Sequence, residues 1–137
     1  MKILGIEHIG IAVNTIDSRA PFWEEVLEIT SSGREAVEGE GVETKIYDTG
    51  SGKIELLESI SSDSSIQKYL NNRGEGVHHI CLKVENITSA ILELKDRGVT
   101  VIYPEPKIGA EGYLVTFIHP KDTGGVLVEL AQKPSEA

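Results

Sequence analysis

The chain has 137 residues, enough for one domain or for two very small units sharing a core, and its 39% hydrophobic and 26% charged residues make a globular composition. Asp and Glu total 22 against 13 Lys and Arg, a formal net charge of -9, which argues against nucleic acid or an anionic membrane as partner, since both demand a concentrated positive surface. Cys81 is the single cysteine, there is no signal-peptide pattern after Met1 and no run near the roughly 20 apolar residues of a membrane span, so a cytoplasmic location is expected.

In chain order, Glu7 to Val13 alternates as a strand, with Ile9, Ile11 and Val13 on one face and His8, Gly10 and Ala12 on the other. Phe22, Trp23, Val26 and Leu27 have helical spacing, with Pro21 tolerable near the start. Residues 31–41 are polar and Gly-containing and read as a loop. Val42 to Tyr47 and Lys53 to Leu57 read as a hairpin around the turn signal at residues 48–52. Ser62 to Leu70 reads as a short helix. Alternation returns with Ile80, Leu82 and Val84 facing away from His79, Cys81 and Lys83. Ile87, Ile91 and Leu94 align on an amphipathic helix that Gly98 stops. Val99 to Tyr103, Tyr113 to Ile118 and Val126 to Ala131 read as strands, with a loop over residues 104–112.

The order strand, helix, strands occurs twice, and the sequence carries a weak repeat to match. A shift of 71 residues (79 minus 8) lays His8 on His79, Ile9 on Ile80, Ile16 on Ile87 and Ser18 on Ser89. Ile54-Glu55-Leu56 lies on Val128-Glu129-Leu130 at a shift of 74 (129 minus 55), as a three-residue loop insertion would produce. Two copies of such length mark a duplicated module.

Each copy thus supplies one histidine in its first strand and one glutamate in its last. Taken singly, a histidine at a strand start or a glutamate in an apolar strand is usually structural. Four at equivalent positions are different, because a carboxylate buried without a partner is costly. Neutral imidazole plus carboxylate suits a divalent ion such as Zn, Mn, Co, Ni or Fe(II), so His8, Glu55, His79 and Glu129 are the candidate metal ligands. His78 reads as structural or at the rim, and His119 as an exposed turn cap.

The duplication resembles the vicinal oxygen chelate superfamily, and within it the methylmalonyl-CoA epimerases. The resemblance rests on residues 8–13 (HIGIAV), 53–58 (KIELLE), 73–81 (RGEGVHHIC), 107–110 (KIGA) and 119–130 (HPKDTGGVLVEL). It implies an α+β fold: two βαβββ modules, about 1–72 and 73–137, forming one curved mixed sheet around a metal-containing cleft, in a single domain and a homodimer. The implied cofactor is a divalent metal ion, Co, Mn, Zn or Ni. The implied reaction is interconversion of (R)- and (S)-methylmalonyl-CoA by proton abstraction and return at C2.

In this resemblance Glu129 is both ligand and acid/base. The second acid/base of some family members is a glutamate at the position of Thr44, and Glu43 beside it is the candidate here. Lys107 and Lys121 are candidates for the CoA phosphates. The readings to be set against an epimerase are a glyoxalase-like lyase, an extradiol dioxygenase needing only two His and one Glu, and a non-catalytic small-molecule-binding protein of the same superfamily.

Overall fold

The protein is described by a computed structural model covering residues 1–135. The described residues form eight strands and three α-helices: β1 (Ile3–Ala12), α1 (Ile16–Pro21), β2 (Ser31–Val37), β3 (Val42–Asp48), β4 (Lys53–Ser59), α2 (Ser65–Arg73), β5 (Gly76–Val84), α3 (Ile87–Asp96), β6 (Lys107–Ile108), β7 (Leu114–Ile118) and β8 (Val128–Gln132). The contacts group into two compact units, His8–His78 on one hand and Met1–Glu7 with the residues from His79 onward on the other. Each carries the expected strand, helix and three further strands, with mixed parallel and antiparallel pairing.

In the His8–His78 unit the strand order is β2-β3-β4-β1. β4 runs parallel to β1, with Gly10 opposite Glu55, and antiparallel to β3, with Ile46 opposite Glu55. One sheet face takes α1: Val13, Ile16, Ala20, Tyr47 and Leu56 form its buried cluster, with Trp23 and Ile54 packed against it. In the second unit the order is β5-β8-β7-β6; β8 runs parallel to β5, with Cys81 opposite Glu129, and antiparallel to β7, with Phe117 opposite Glu129. Its helix-side cluster is Val84, Ile87, Ala90, Ile91, Leu94 and Leu130.

These registers realise the sequence repeat. Gly10 and Cys81, and also Ile46 and Phe117, are 71 positions apart, whereas Glu55 and Glu129 are 74 apart. The three extra residues therefore lie between β7 and β8, in the turn that begins at His119. The helix starts repeat as well. Thr15 accepts a hydrogen bond from the Ser18 amide and Asn86 from the Ser89 amide. The next amide is held from across the sheet, Ile16 N–H donating to Glu58 Oε1 at 2.6 Å and Ile87 N–H to Gln132 Oε1 at 2.8 Å.

Four elements depart from the expectations. The loop expected over 31–41 contains β2 and a 3-10 turn at Glu38–Glu40, closed by Gly41 in the left-handed region at φ 67°. The first helix starts earlier, at Ile16, and Pro21 ends it. Lacking an N–H, Pro21 breaks the ladder, and Leu27 N–H reaches back five residues to Phe22 O in a π-helical turn. The strand expected over 99–103 is reduced to one bridge, Val101 to Ile118, before Pro104 and Pro106 end pairing. The short strand β6 instead occupies Lys107–Ile108, inside the expected loop.

Candidate active site

The face of each sheet that does not carry its helix holds one buried His–Glu pair. On the His8–His78 unit, β1 presents His8, Gly10 and Ala12, and the parallel register aligns them with Lys53, Glu55 and Leu57 of β4. His8 Nδ1 lies 2.9 Å from Glu55 Oε2, with His8 6% and Glu55 3% exposed. On the other unit, His79 Nε2 lies 3.1 Å from Glu129 Oε1, and both are buried. The His79 ring meets Phe117 edge-on with centroids 5.9 Å apart, which fixes its orientation.

The structure thus brings His8 to Glu55 and His79 to Glu129. It places Glu43 elsewhere. Residues directly opposite in an antiparallel ladder share a face, and successive residues alternate. Thr44 is opposite Leu57 and so shares the face of Glu55 and His8; Glu43, opposite Glu58, is on the helix side. There Arg34 Nε donates to Glu43 Oε1 at 3.0 Å and Arg34 Nη1 to Asp17 at 2.8 Å. Arg34 holds the Asp17 carboxyl below the usual carboxylate range.

Thr44 itself is 2% exposed, and its Oγ1 has no hydrogen-bond partner among the described residues. The remaining candidates lie at the edges. Lys107 is exposed, with Nζ 4.1 Å above the Tyr103 ring, and Lys121 is exposed in the turn after β7. His119 Nδ1 accepts from the Lys121 amide, as its turn position suggests, and His78 bonds Ser65 Oγ at 2.9 Å.

A family model for the Glyoxalase/Bleomycin resistance protein/Dioxygenase superfamily matches residues 7–117. The mitochondrial methylmalonyl-CoA epimerase of Mus musculus is 39% identical over 96% of this chain and 74% of its own length. The ethylmalonyl-CoA/methylmalonyl-CoA epimerase of Cereibacter sphaeroides is 38% identical, covering 93% of this chain and 96% of its own. A Streptomyces coelicolor methylmalonyl-CoA epimerase variant, solved in complex with 2-nitronate-propionyl-CoA, matches with a TM-score of 0.93 and 34% identity over 98% of this chain and 97% of its own. This chain belongs to the methylmalonyl-CoA epimerase family.

Membership in the epimerase family gives weight to donors that composition alone leaves ambiguous, and the structure adds two groups that the sequence hid. Glu35 is one: it lies directly opposite Thr44 on β2, and so on the face of His8 and Glu55. Its signal is the alternation Arg34, Glu35, Ala36, Val37, obscured by the serines and glycine before it. Glu58 and Gln132 are the other, holding the two helix starts; their equivalence is visible in the shift of 74. No helix among the described residues is long and apolar enough to cross a membrane.

Proposed function

We propose that this protein interconverts the (R) and (S) epimers of methylmalonyl-CoA, using a divalent ion held by His8, Glu55, His79 and Glu129. The observation that carries the reading is the duplicated His–Glu pair at equivalent ladder positions of two βαβββ units. The pairs fit an ion in their donor chemistry, two imidazole nitrogens and two carboxylates, and His8, His79 and Glu129 form one group of potential ligand atoms while Glu55 groups with His8 and Glu7. They also fit in spacing. Donors at right angles about 2.1 Å from an ion stand about 3.0 Å apart, and the two observed separations are 2.9 and 3.1 Å.

The C2 proton of the substrate lies between a thioester and a carboxylate, so its removal leaves an enolate. When bound, the ion supplies positive charge to the enolate oxygen and neutralises donors that would otherwise repel an anionic substrate. The rest falls to the chain. The buried Glu129 carboxylate takes or returns a proton at C2 on one face, in a water-poor site where the enolate is not quenched indiscriminately. Gly10, on the face of His8 and directly opposite Glu55, has no side chain to crowd the acyl group there. Lys107 and Lys121 offer cations for the CoA phosphates.

Residues 1–137 act in this reading as one functional domain, because each unit alone carries half of the ligand set. Ile3, Leu4 and Ile6 on the exposed first half of β1 support self-association as a homodimer, measurable by light scattering. The one cysteine, Cys81, is buried and forms no disulfide, which suits the reducing cytoplasm.

The test is proton exchange. Metal-loaded protein is incubated with one epimer of methylmalonyl-CoA in deuterated water, and both label at C2 and the epimer ratio are followed by NMR. The expected result is label entry accompanied by inversion. No exchange above a metal-stripped control overturns the reading.

A further inference from the structure

Epimerisation needs two proton-transfer groups, one for each face of C2, and Glu129 is only one. The sheet face of the His8–His78 unit that bears His8 and Glu55 is the place to seek the other. Strand register places few titratable side chains on that face: Glu35, Asp48, Lys53, His8 and Glu55. His8 and Glu55 are taken as ligands. Asp48 is exposed and its Oδ1 accepts the Gly50 amide at 2.8 Å, serving the hairpin turn, and Lys53 is its ladder partner at the same end. Glu35 is at the opposite end of the row, half-buried, and its ladder neighbour is the buried Thr44, whose hydroxyl has no partner among the described residues. Leaving such a hydroxyl without a partner is costly, a cost that an oxygen of a bound ligand would remove.

We propose that Glu35 is the second acid/base of the reaction and that Thr44 hydrogen-bonds the substrate beside it; this rests on the epimerase reading above. In one direction the Glu35 carboxylate takes the C2 proton, the C–H electron pair passes into the enolate, and the protonated Glu129 carboxyl gives a proton to the opposite face. Turnover leaves Glu35 protonated and Glu129 ionised, the starting state for the reverse direction, so protons and charge balance without a co-reactant.

Removal of one of two such groups has a signature that a structural role lacks. A one-base enzyme still exchanges the C2 proton of one epimer but returns it to the same face. With metal-loaded E35Q and each pure epimer in deuterated water, interconversion falls by about 100-fold or more. One epimer, the one Glu129 deprotonates, continues to take up label at C2 without inverting. T44V is expected to raise KM about fivefold with kcat little changed. A thermal melt equal to that of the parent chain confirms that E35Q is folded.

Interconversion by E35Q at the parent rate overturns the assignment of Glu35 while leaving the epimerase reading intact. So does loss of interconversion in E43Q with retention in E35Q. An unchanged KM in T44V removes the substrate contact from this row and the proposal with it. A parent chain that neither exchanges nor inverts overturns both readings.

Discussion

The two units differ least at their His–Glu pairs and most one ladder row away. In the His8–His78 unit the row beside Glu55 reads Glu35, Thr44, Leu57 across β2, β3 and β4. In the other unit the equivalent row beside Glu129 reads Lys107, Val115, Ala131 across β6, β7 and β8. A carboxylate and a buried hydroxyl on one side correspond to a cation and an apolar side chain on the other. On the proposed function, a duplicated pair of ligands would serve one ion best if both copies stayed alike. A substrate that is itself asymmetric, with a reacting acyl end and a phosphorylated end, is served best if the flanks diverge. The -9 charge sharpens the point, since an anionic substrate needs its cations placed locally.

The largest effect should come from breaking the likeness of the pairs. H8A and H79A are each expected to weaken divalent-ion binding by at least about 100-fold, with parallel loss of exchange, measured by metal analysis after dialysis. Full retention of the ion by either variant would show that the pairs do not act together. Next comes the difference in flanks. K107A is expected to raise KM for the acyl-CoA several-fold, about 1 kcal/mol of lost ion pairing, with kcat little changed. An equal loss in kcat would place Lys107 in the chemistry instead.

The helix starts offer a finer contrast, because Glu58 is charged and Gln132 neutral at equivalent places. E58A should cost about 2 kcal/mol in urea unfolding and Q132A about 1, since a charged acceptor also meets the helix dipole. Equal costs would show that hydrogen bonding alone matters there. The smallest effect concerns Glu75, whose carboxyl is held below its ordinary value by the Arg19 guanidinium and then by the Asn14 amide. Its contribution is present at neutral pH and is lost as pH falls through the lowered value. E75Q should therefore flatten the stability profile slightly below pH ~4.5, by under about 1 kcal/mol.

The repeat makes much of the fold and the two His–Glu pairs legible in the sequence. Offsets of 71 and 74 reappear as ladder registers because a duplicated sequence keeps its alternation, and alternation decides which side chains share a face. The ligand candidates follow from that symmetry. What stays hidden lies where local chemistry opposes pattern. β2 opens with Ser31-Ser32-Gly33 and a register shift, so its alternation begins only at Arg34, and Glu35 is lost with it. Val99 to Tyr103 has strand-forming residues, but two prolines follow and one bridge is all that forms. Glu43 is one residue from Thr44 in sequence, and only the pairing of β3 with β4 shows that this step crosses the sheet.

β1 belongs to both units, Met1–Glu7 grouping with the residues from His79 onward and the rest with His8–His78. During synthesis, residues 1–7 leave the ribosome before any of the strands they will join. The His8–His78 ladder can close on what has already emerged, whereas the other unit waits for β5 to β8 and must recover a segment made long before. Closure over that distance is entropically slower. In the interval residues 1–7 have no strand of their own unit to join, so the His8–His78 unit is expected to gain hydrogen-exchange protection before the first half of β1 does.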